Sequence, residues 1–184
     1  KNAAWGGFVD KVEYFDASFF NTSAGEAAML DPQQRIHLES VWSALEDAGV
    51  NPLQLSEKEV GIYVGLFTED YKQVCVQTHN DASVYFATGT SGAAAAGRTA
   101  HFLGTQGPAV MINTACSSSL VALHYAKESL LQGESELAIA SGVNLMLTPE
   151  LSENFANAGM LSPDGRCKSF SGSANGYVRS EGCA

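Results

Sequence analysis

The sequence predicts an α/β fold with a mainly parallel sheet covered by helices, and three observations carry that expectation. Segments 59–66, 109–113 and 137–147 have the length and apolar content of strands. Helical patterns fill the gaps between them, and strand, helix, strand, helix, strand is the order that lays parallel strands side by side. The strands show no regular alternation of apolar with polar residues, which fits burial on both faces.

The first thirty residues read as loop, with Trp5, Phe8, Tyr14, Phe15, Phe19 and Phe20 anchoring a surface segment onto the core. A helix is expected over 32–48. Asp31 is its N-cap, Pro32 its first position and Gln34 a capping-box residue. Leu38, Val41, Trp42, Leu45 and Ala48 recur at helical spacing, and Gly49 is the stop. A strand over 59–66 follows, then an alanine-rich helix over 91–102 ended by Gly104. Gly107 and Pro108 break the chain before the strand at 109–113. A third helix is expected over 117–131, with Leu120, Leu123, Ala126 and Leu130 as its apolar face and Val121 and Leu131 widening it. Gln132-Gly133 ends it, and 137–147 forms another strand. No internal repeat is evident.

With 184 residues the chain suits one domain or part of one, and 45% hydrophobic against 16% charged residues is enough for a packed core. That composition excludes intrinsic disorder and a coiled coil. The formal charge of −10 argues against nucleic acid and anionic membrane as partners, because both would repel it. The longest apolar run, 139–147, is interrupted by Ser141, Gly142 and Asn144, so no membrane helix is expected. The ends carry neither an initiator Met with a leader nor a closing helix, as expected of a segment of a longer polypeptide. Cys75, Cys116, Cys167 and Cys183 form no CxxC pair or zinc cluster and read as reduced thiols of a cytoplasmic protein.

One stretch carries chemistry. Residues 110–120 run from an apolar strand through Asn113-Thr114-Ala115 into a helix, and Cys116 sits at the junction. The helix N-terminus there carries about +0.5 elementary charge, which favours a thiolate. Its free N–H groups could bind the oxyanion formed as a thioester carbonyl becomes tetrahedral. The arrangement is that of a nucleophile elbow with sulfur in place of oxygen. Spacing alone leaves a second reading open, a small buried Cys beside serines that merely cap a helix. The other three cysteines lack such a setting.

No histidine pairs convincingly with Cys116. His37 reads as a partly exposed surface residue, His79 as part of a solvated turn, and His101 as a helix C-terminal residue. His124 lies about 12 Å along the helix from Cys116 at the standard rise. There is no Walker loop, no dinucleotide fingerprint, no HExxH and no carboxylate cluster for a metal.

The stretch Thr114-Ala115-Cys116-Ser117-Ser118-Ser119-Leu120-Val121-Ala122 resembles the active-site signature of β-ketoacyl synthase domains in modular type I polyketide synthases. The resemblance continues in order along the chain. It includes Leu30-Asp31-Pro32-Gln33-Gln34-Arg35, Leu45-Glu46-Asp47-Ala48-Gly49, Ala96-Gly97-Arg98, Met160-Leu161-Ser162-Pro163-Asp164-Gly165 and Gly176-Tyr177-Val178-Arg179. It implies a partial thiolase-like fold, the N-terminal half of a layered αβαβα architecture. Residues 1–184 would then be a fragment of one synthase domain lacking its first strand and its C-terminal half.

The implied chemistry is acyl transfer to Cys116 from the phosphopantetheine arm of an acyl carrier protein. Decarboxylative condensation with a malonyl-type thioester would follow, assisted by two histidines from beyond Ala184. No cofactor or metal would bind directly, the complete domain would form a homodimer, and the isolated fragment would be inactive and fold poorly. Two further readings share the resemblance: the ketosynthase of a fatty acid synthase, and a non-elongating acyl-binding domain. The sequence departs from the family pattern at Asn113, where Asp is usual. Ser171 and Asn175 likewise stand for acids, and Ser180 and Ala184 for glycines.

Overall fold

The structure, a computed structural model, describes residues 5–78 and 82–184, so the turn expected around His79 lies outside the described residues. Among the described residues, six strands and seven α-helices run in the order β1 (Gly6–Gly7), α1 (Ala24–Met29), α2 (Pro32–Asp47), β2 (Val60–Leu66), α3 (Asp70–Gln77), α4 (Phe86–Thr90), α5 (Ala93–Leu103), β3 (Ala109–Ile112), α6 (Ser118–Gln132), β4 (Leu137–Asn144), α7 (Glu150–Asn157), β5 (Arg179–Ser180) and β6 (Gly182–Cys183). The main sheet has the order β3-β2-β4-β6. β2, β3 and β4 are parallel, and the short β6 runs antiparallel to β4. β1 pairs with β5 in a separate two-stranded ribbon.

The three expected strands and three long helices are present, each close to its expected span. The short helices α1, α3, α4 and α7 were not expected, since five to eight residues hold too few turns to show a period.

β2 is central and buried at every position. Its side chains alternate between two different layers. Val60, Ile62, Val64 and Leu66 pack with Val143 against α2 and α5, where Val41, Leu45, Ala95, Ala96 and Leu103 complete the larger core cluster. Each valine, leucine or isoleucine among these contributes about 1.5–3 kcal/mol on burial. The opposite face carries Gly61, Tyr63 and Gly65 of β2 beside Ala138, Ala140 and Gly142 of β4, and α6 lies there. Burial on both faces is complete only for β2. Ala109 and Val110 of β3 are exposed because β3 is an edge of this sheet, and β4 is mostly half-buried.

The face expected of α6 is corrected. Ser118, Ala122, Ala126 and Ser129 turn toward the sheet, while Leu120, Leu123, Leu130 and Leu131 are exposed. Glycines and alanines on this side of β2 and β4 let the helix backbone come close, and large side chains between them would hold it off. Gly65 and Gly142 are paired across the strands, and a Cβ on either would lie within 2.7 Å of Ser119. Expected features at the other helix ends are confirmed: Gly104 and Gly133 close α5 and α6 in the left-handed conformation. Of the N-terminal aromatics, Phe15, Phe19 and Phe20 cluster with Trp42 and Phe102. Trp5, Phe8 and Tyr14 stay largely exposed.

Two expectations for α2 are also corrected. Asp31 caps the helix, accepting from the Gln33 amide at 2.8 Å, but Gln34 forms no capping box. Its carboxamide instead donates to the carbonyls of Thr88, Gly89 and Ser91. His37 is not on the surface: it is fully buried, with Nε2 2.8 Å from the Ser141 hydroxyl and Nδ1 3.0 Å from that of Thr99. The sheet side of α2 is wide enough to take it because strand residue Ser141 and helix residue Thr99 supply the hydrogen bonds a buried imidazole needs. Since Thr99 also reaches the Ala95 carbonyl, a neutral imidazole donating from Nδ1 and accepting at Nε2 satisfies all three groups.

Burial lowers the His37 pKa from 6.5 to about 4. The unfolded chain then takes up a proton between those values that the folded chain refuses, so this group's contribution is intact above pH 6.5 and declines as pH falls toward 4. The loss approaches about 3 kcal/mol. Asp31 acts in the opposite sense. Desolvation raises its pKa to about 6 against the Gln33 hydrogen bonds and Arg35, so protonation below pH 6 favours the folded state. His37→Gln isolates the first effect. Relative to wild type, the variant should be destabilised at pH 7 and recover most of that difference by pH 4, as read by urea unfolding. A pH-independent difference would show that His37 does not titrate this way.

Candidate active site

β3 ends at Ile112 and the chain turns through Asn113 and Thr114 into a 3₁₀ turn, Ala115–Ser117, that leads directly into α6. Side chains hold this turn. Asn113 Oδ1 accepts from the Ala115 amide at 3.1 Å, and the Ser118 hydroxyl accepts from the Thr114 amide at 3.0 Å while donating to the Ala115 carbonyl. The Ser117 hydroxyl donates to Thr114 at 2.8 Å rather than capping α6. Ala115 has φ = 55°, a left-handed conformation that costs a residue with a Cβ about 1 kcal/mol or more. The turn is tight enough to leave the next residue, Cys116, exposed at its apex.

Cys116 faces a cleft of about 480 Å³. Gly65, Gly142 and Ser119 form its floor. Phe67, Phe155 and Tyr177 supply apolar walls, and the strand ends around Asn144 and Arg179–Gly182 close one side. Crevices at the carboxyl ends of parallel strands are the usual ligand sites of α/β sheets. The amides of Ser117 and Ser118 are engaged by the carbonyls of Thr114 and Ala115, so these two are not free to hold an oxyanion as the sequence suggested. What α6 offers the sulfur is its N-terminal dipole.

Phe155 escaped the sequence reading, and Tyr177 and Arg179 entered it only within a resemblance motif and not as site residues, because all three come from loops and short elements far along the chain. Arg179 is buried, donates to the Ser152 hydroxyl and lies over the Phe155 ring at 5.5 Å. Burial raises the Tyr177 pKa, with the Arg179 guanidinium opposing and negative charge on Cys116 adding to the rise. Glu181 fastens this wall, accepting from the amides of Val9 at 3.0 Å and Met146 at 2.9 Å.

The remaining candidates lie elsewhere. Cys75 is buried in α3 and Cys183 half-buried in β6, and burial pushes both thiols up; Cys167 is exposed, with its sulfur accepting from the Val178 amide. His101 and His124 are exposed on α5 and α6, and no described histidine lines the cleft. Among the described residues no His/Cys/Asp/Glu group is arranged to hold a metal, and no helix is long and apolar enough to cross a membrane.

Asn113 stands where the resemblance implies Asp, yet the bond it makes needs only a side-chain oxygen. Asn113→Asp should therefore leave stability and Cys116 reactivity within about twofold, whereas Asn113→Leu removes the acceptor and should cost about 1 kcal/mol. Thermal unfolding and thiol alkylation rates check both. A large gain on restoring Asp would assign this position a charge effect.

All of residues 1–184 match the family described as β-ketoacyl synthase, N-terminal domain. Polyketide synthase ThaG of Burkholderia thailandensis is 45% identical over 181 residues, which is 98% of this chain and 3% of that protein. Polyketide synthase PksL of Bacillus subtilis is 47% identical over 176 residues, which is 96% of this chain and 4% of that protein. Among solved structures, the ketosynthase from module 6 of the bacillaene synthase of Bacillus subtilis 168 superposes with a TM-score of 0.86 at 44% identity. The match covers 97% of this chain and 30% of that one. The oxazolomycin ketosynthase domain OzmH KS7 of Streptomyces albus JA3453 gives 0.86 at 40% identity, over 94% and 30%. The chain thus spans a small part of its curated relatives and under a third of the solved ketosynthase chains.

Proposed function

Because this chain belongs to the β-ketoacyl synthase family, with relatives of the polyketide synthase type and a thiolase-like α/β fold, we propose that Cys116 is the acyl-accepting nucleophile of a polyketide-synthase ketosynthase. The observation that supports this most is the exposed Cys116 thiol at the apex of the β3–α6 turn, facing an apolar-walled cleft.

The Cys116 thiolate attacks the carbonyl of an acyl group carried on the phosphopantetheine arm of an acyl carrier protein. The tetrahedral intermediate collapses with loss of the carrier thiolate, which takes up a proton, and the acyl group stays on sulfur. A malonyl-type thioester then loses carbon dioxide. The electron pair of the broken carbon–carboxylate bond forms a new carbon–carbon bond to the acyl carbonyl. Cys116 thiolate is expelled, and the product is a β-ketoacyl thioester two backbone carbons longer. The two histidines that the family resemblance implies for decarboxylation and condensation are proposed to come from beyond Ala184, and no described histidine lines the cleft. The residues here hold the nucleophile and part of the acyl pocket.

Homodimerisation of the complete domain is part of the same reading. It is supported by the free edge of β3, where Ala109 and Val110 are exposed.

The full-length protein, given an acyl carrier thioester and a malonyl carrier thioester, should release carbon dioxide and form the extended β-ketoacyl product. Acylation of Cys116 without carbon dioxide release would leave only the transfer half and favour a non-elongating domain.

A further inference from the structure

We propose that Gln33 is a positioning residue for Cys116, its buried carboxamide acting as one extra rung between the strand ends that frame the nucleophile cleft. The inference rests on the acyl-transfer reading of that cleft. The regular ladder between β2 and β4 runs from Val60↔Leu137 to Leu66↔Val143 and stops there. Two residues further on, Gln33 bridges the same two chain segments. Its Nε2 donates to the Thr68 carbonyl at 2.9 Å, and its Oε1 accepts from the Leu145 amide at 3.1 Å. One side-chain amide thus offers the donor and acceptor that a neighbouring peptide would.

Gln33 is placed to do this with little freedom. It is fully buried, and its own backbone amide is held by the Asp31 cap at the start of α2. Oε1 also accepts from the Thr68 hydroxyl at 3.1 Å, and Nε2 lies 3.3 Å from Asp31 Oδ2, so each polar atom has two partners. No alternative rotamer could keep these bonds. A second tie lies further out, where Asp70 accepts from the amides of Leu147 and Thr148.

The consequence for the site follows from what lies between the last ladder pair and the Gln33 rung. Phe67 and Asn144 occupy that interval, and both line the cleft with Cys116. One step before it, Gly65 and Gly142 seat Ser119 at the start of α6. If the strand ends splay or slide, the cleft wall and the platform under the nucleophile turn move together. Active sites are sensitive to such shifts, a displacement of about 1 Å costing as much as a hundredfold in rate.

The test uses the full-length protein with Gln33→Met, Gln33→Glu and Thr68→Val. It measures acylation of Cys116 by an acyl N-acetylcysteamine thioester, alkylation of Cys116 by iodoacetamide, and the unfolding midpoint. Gln33→Met keeps the length but none of the bonds. Its acylation kcat should fall about tenfold or more with KM changed less than threefold, and its alkylation rate should shift several-fold. Gln33→Glu should be impaired when ionised and recover as pH falls, because a neutral carboxylic acid can again donate to Thr68 and accept from Leu145. Wild type is the reference for that profile, since Asp31, which bonds Gln33, and the Arg35 and Asp70 charges that act on Asp31 are present in both proteins.

Folded Gln33→Met with wild-type acylation and alkylation rates would overturn the proposal, as would Gln33→Glu with the wild-type pH profile. If the Gln33 variants do not fold, Thr68→Val decides: it removes the hydroxyl that donates to Gln33 Oε1 and lies 3.4 Å from the Leu145 carbonyl, so the carboxamide loses the tie that orients it, acylation should slow several-fold, and a wild-type rate overturns the proposal. If wild-type Cys116 is alkylated but never acylated, the acyl-transfer reading fails. The alkylation rates still decide the role of Gln33.

Discussion

Cys116→Ala in the full-length protein is expected to abolish covalent loading from an acyl thioester, by at least about a thousandfold, with no comparable change in the unfolding midpoint. The reasons are chemical and steric. On the proposed reading, alanine removes the sulfur on which the thioester forms, and a nucleophile acting as part of a unit is not replaced by its neighbours. The sulfur is exposed at the apex of the β3–α6 turn, so its loss opens no cavity in the core. The other cysteines are poor substitutes, since Cys75 is buried, Cys183 is half-buried and Cys167 is engaged by the Val178 amide. Intact-mass measurement after exposure to the thioester reads the result, and replacement of Cys75, Cys167 or Cys183 should leave loading unchanged. A Cys116→Ala protein that still carried the acyl group would refute the assignment of the nucleophile.

Gly65→Ala should impair acylation strongly without touching the thiol itself. The added Cβ would lie 2.6 Å from the Ser119 amide nitrogen and 2.7 Å from the Ser118 carbonyl carbon, both backbone atoms that cannot swing aside. Relief requires α6 to rise from β2 at its N-terminus, the end that carries Cys116. Overpacking of this kind costs about 1–3 kcal/mol, occasionally more, and the shifted turn should slow acylation by about a hundredfold. Gly142→Ala should act in the same direction but less, because its nearest contact is the Ser119 side chain. Gly97→Ala on α5 meets no neighbour within 4 Å and serves as the contrast, with acylation expected near wild type. Unfolding midpoints and acylation rates measured together separate the two costs. Wild-type acylation in Gly65→Ala would show that the close seat of α6 on the sheet is not what positions the nucleophile.

The three long helices and the three main strands were legible in the sequence because period, caps and stops agreed. Asp31-Pro32 opens α2, Gly104 and Gly133 close α5 and α6, and the uninterrupted run from Val60 to Leu66 becomes a strand buried throughout. The β3–α6 turn that carries the proposed nucleophile was legible for a related reason: strand, small residues, Cys and helix form a local pattern, and the turn is held by neighbours such as Asn113, Ser117 and Ser118. Among the features that the sequence did not disclose, the buried face of α6 is not its leucine face, His37 is not on the surface, and the cleft walls come from remote segments. A signal for the first was present in the strands, where Gly65, Ala138, Ala140 and Gly142 fall on one side by period-2 alternation and leave room only for a small-residue helix face.

By itself the sequence determined the α/β class, the order of the main elements, the nucleophile candidate and the family resemblance. Each of these depends on residues close together in the chain or on ordered motifs along it. Only the tertiary structure decided which face of α6 meets the sheet, where His37 finds Thr99 and Ser141, and how Phe155, Tyr177 and Arg179 gather around Cys116. The same holds for Gln33, whose partners at Thr68 and Leu145 lie 35 and 112 residues away. Helical and strand periods report which side chains share a face, but the partner of that face is set by packing volume and by the need to satisfy buried polar groups, both of which involve residues remote in sequence.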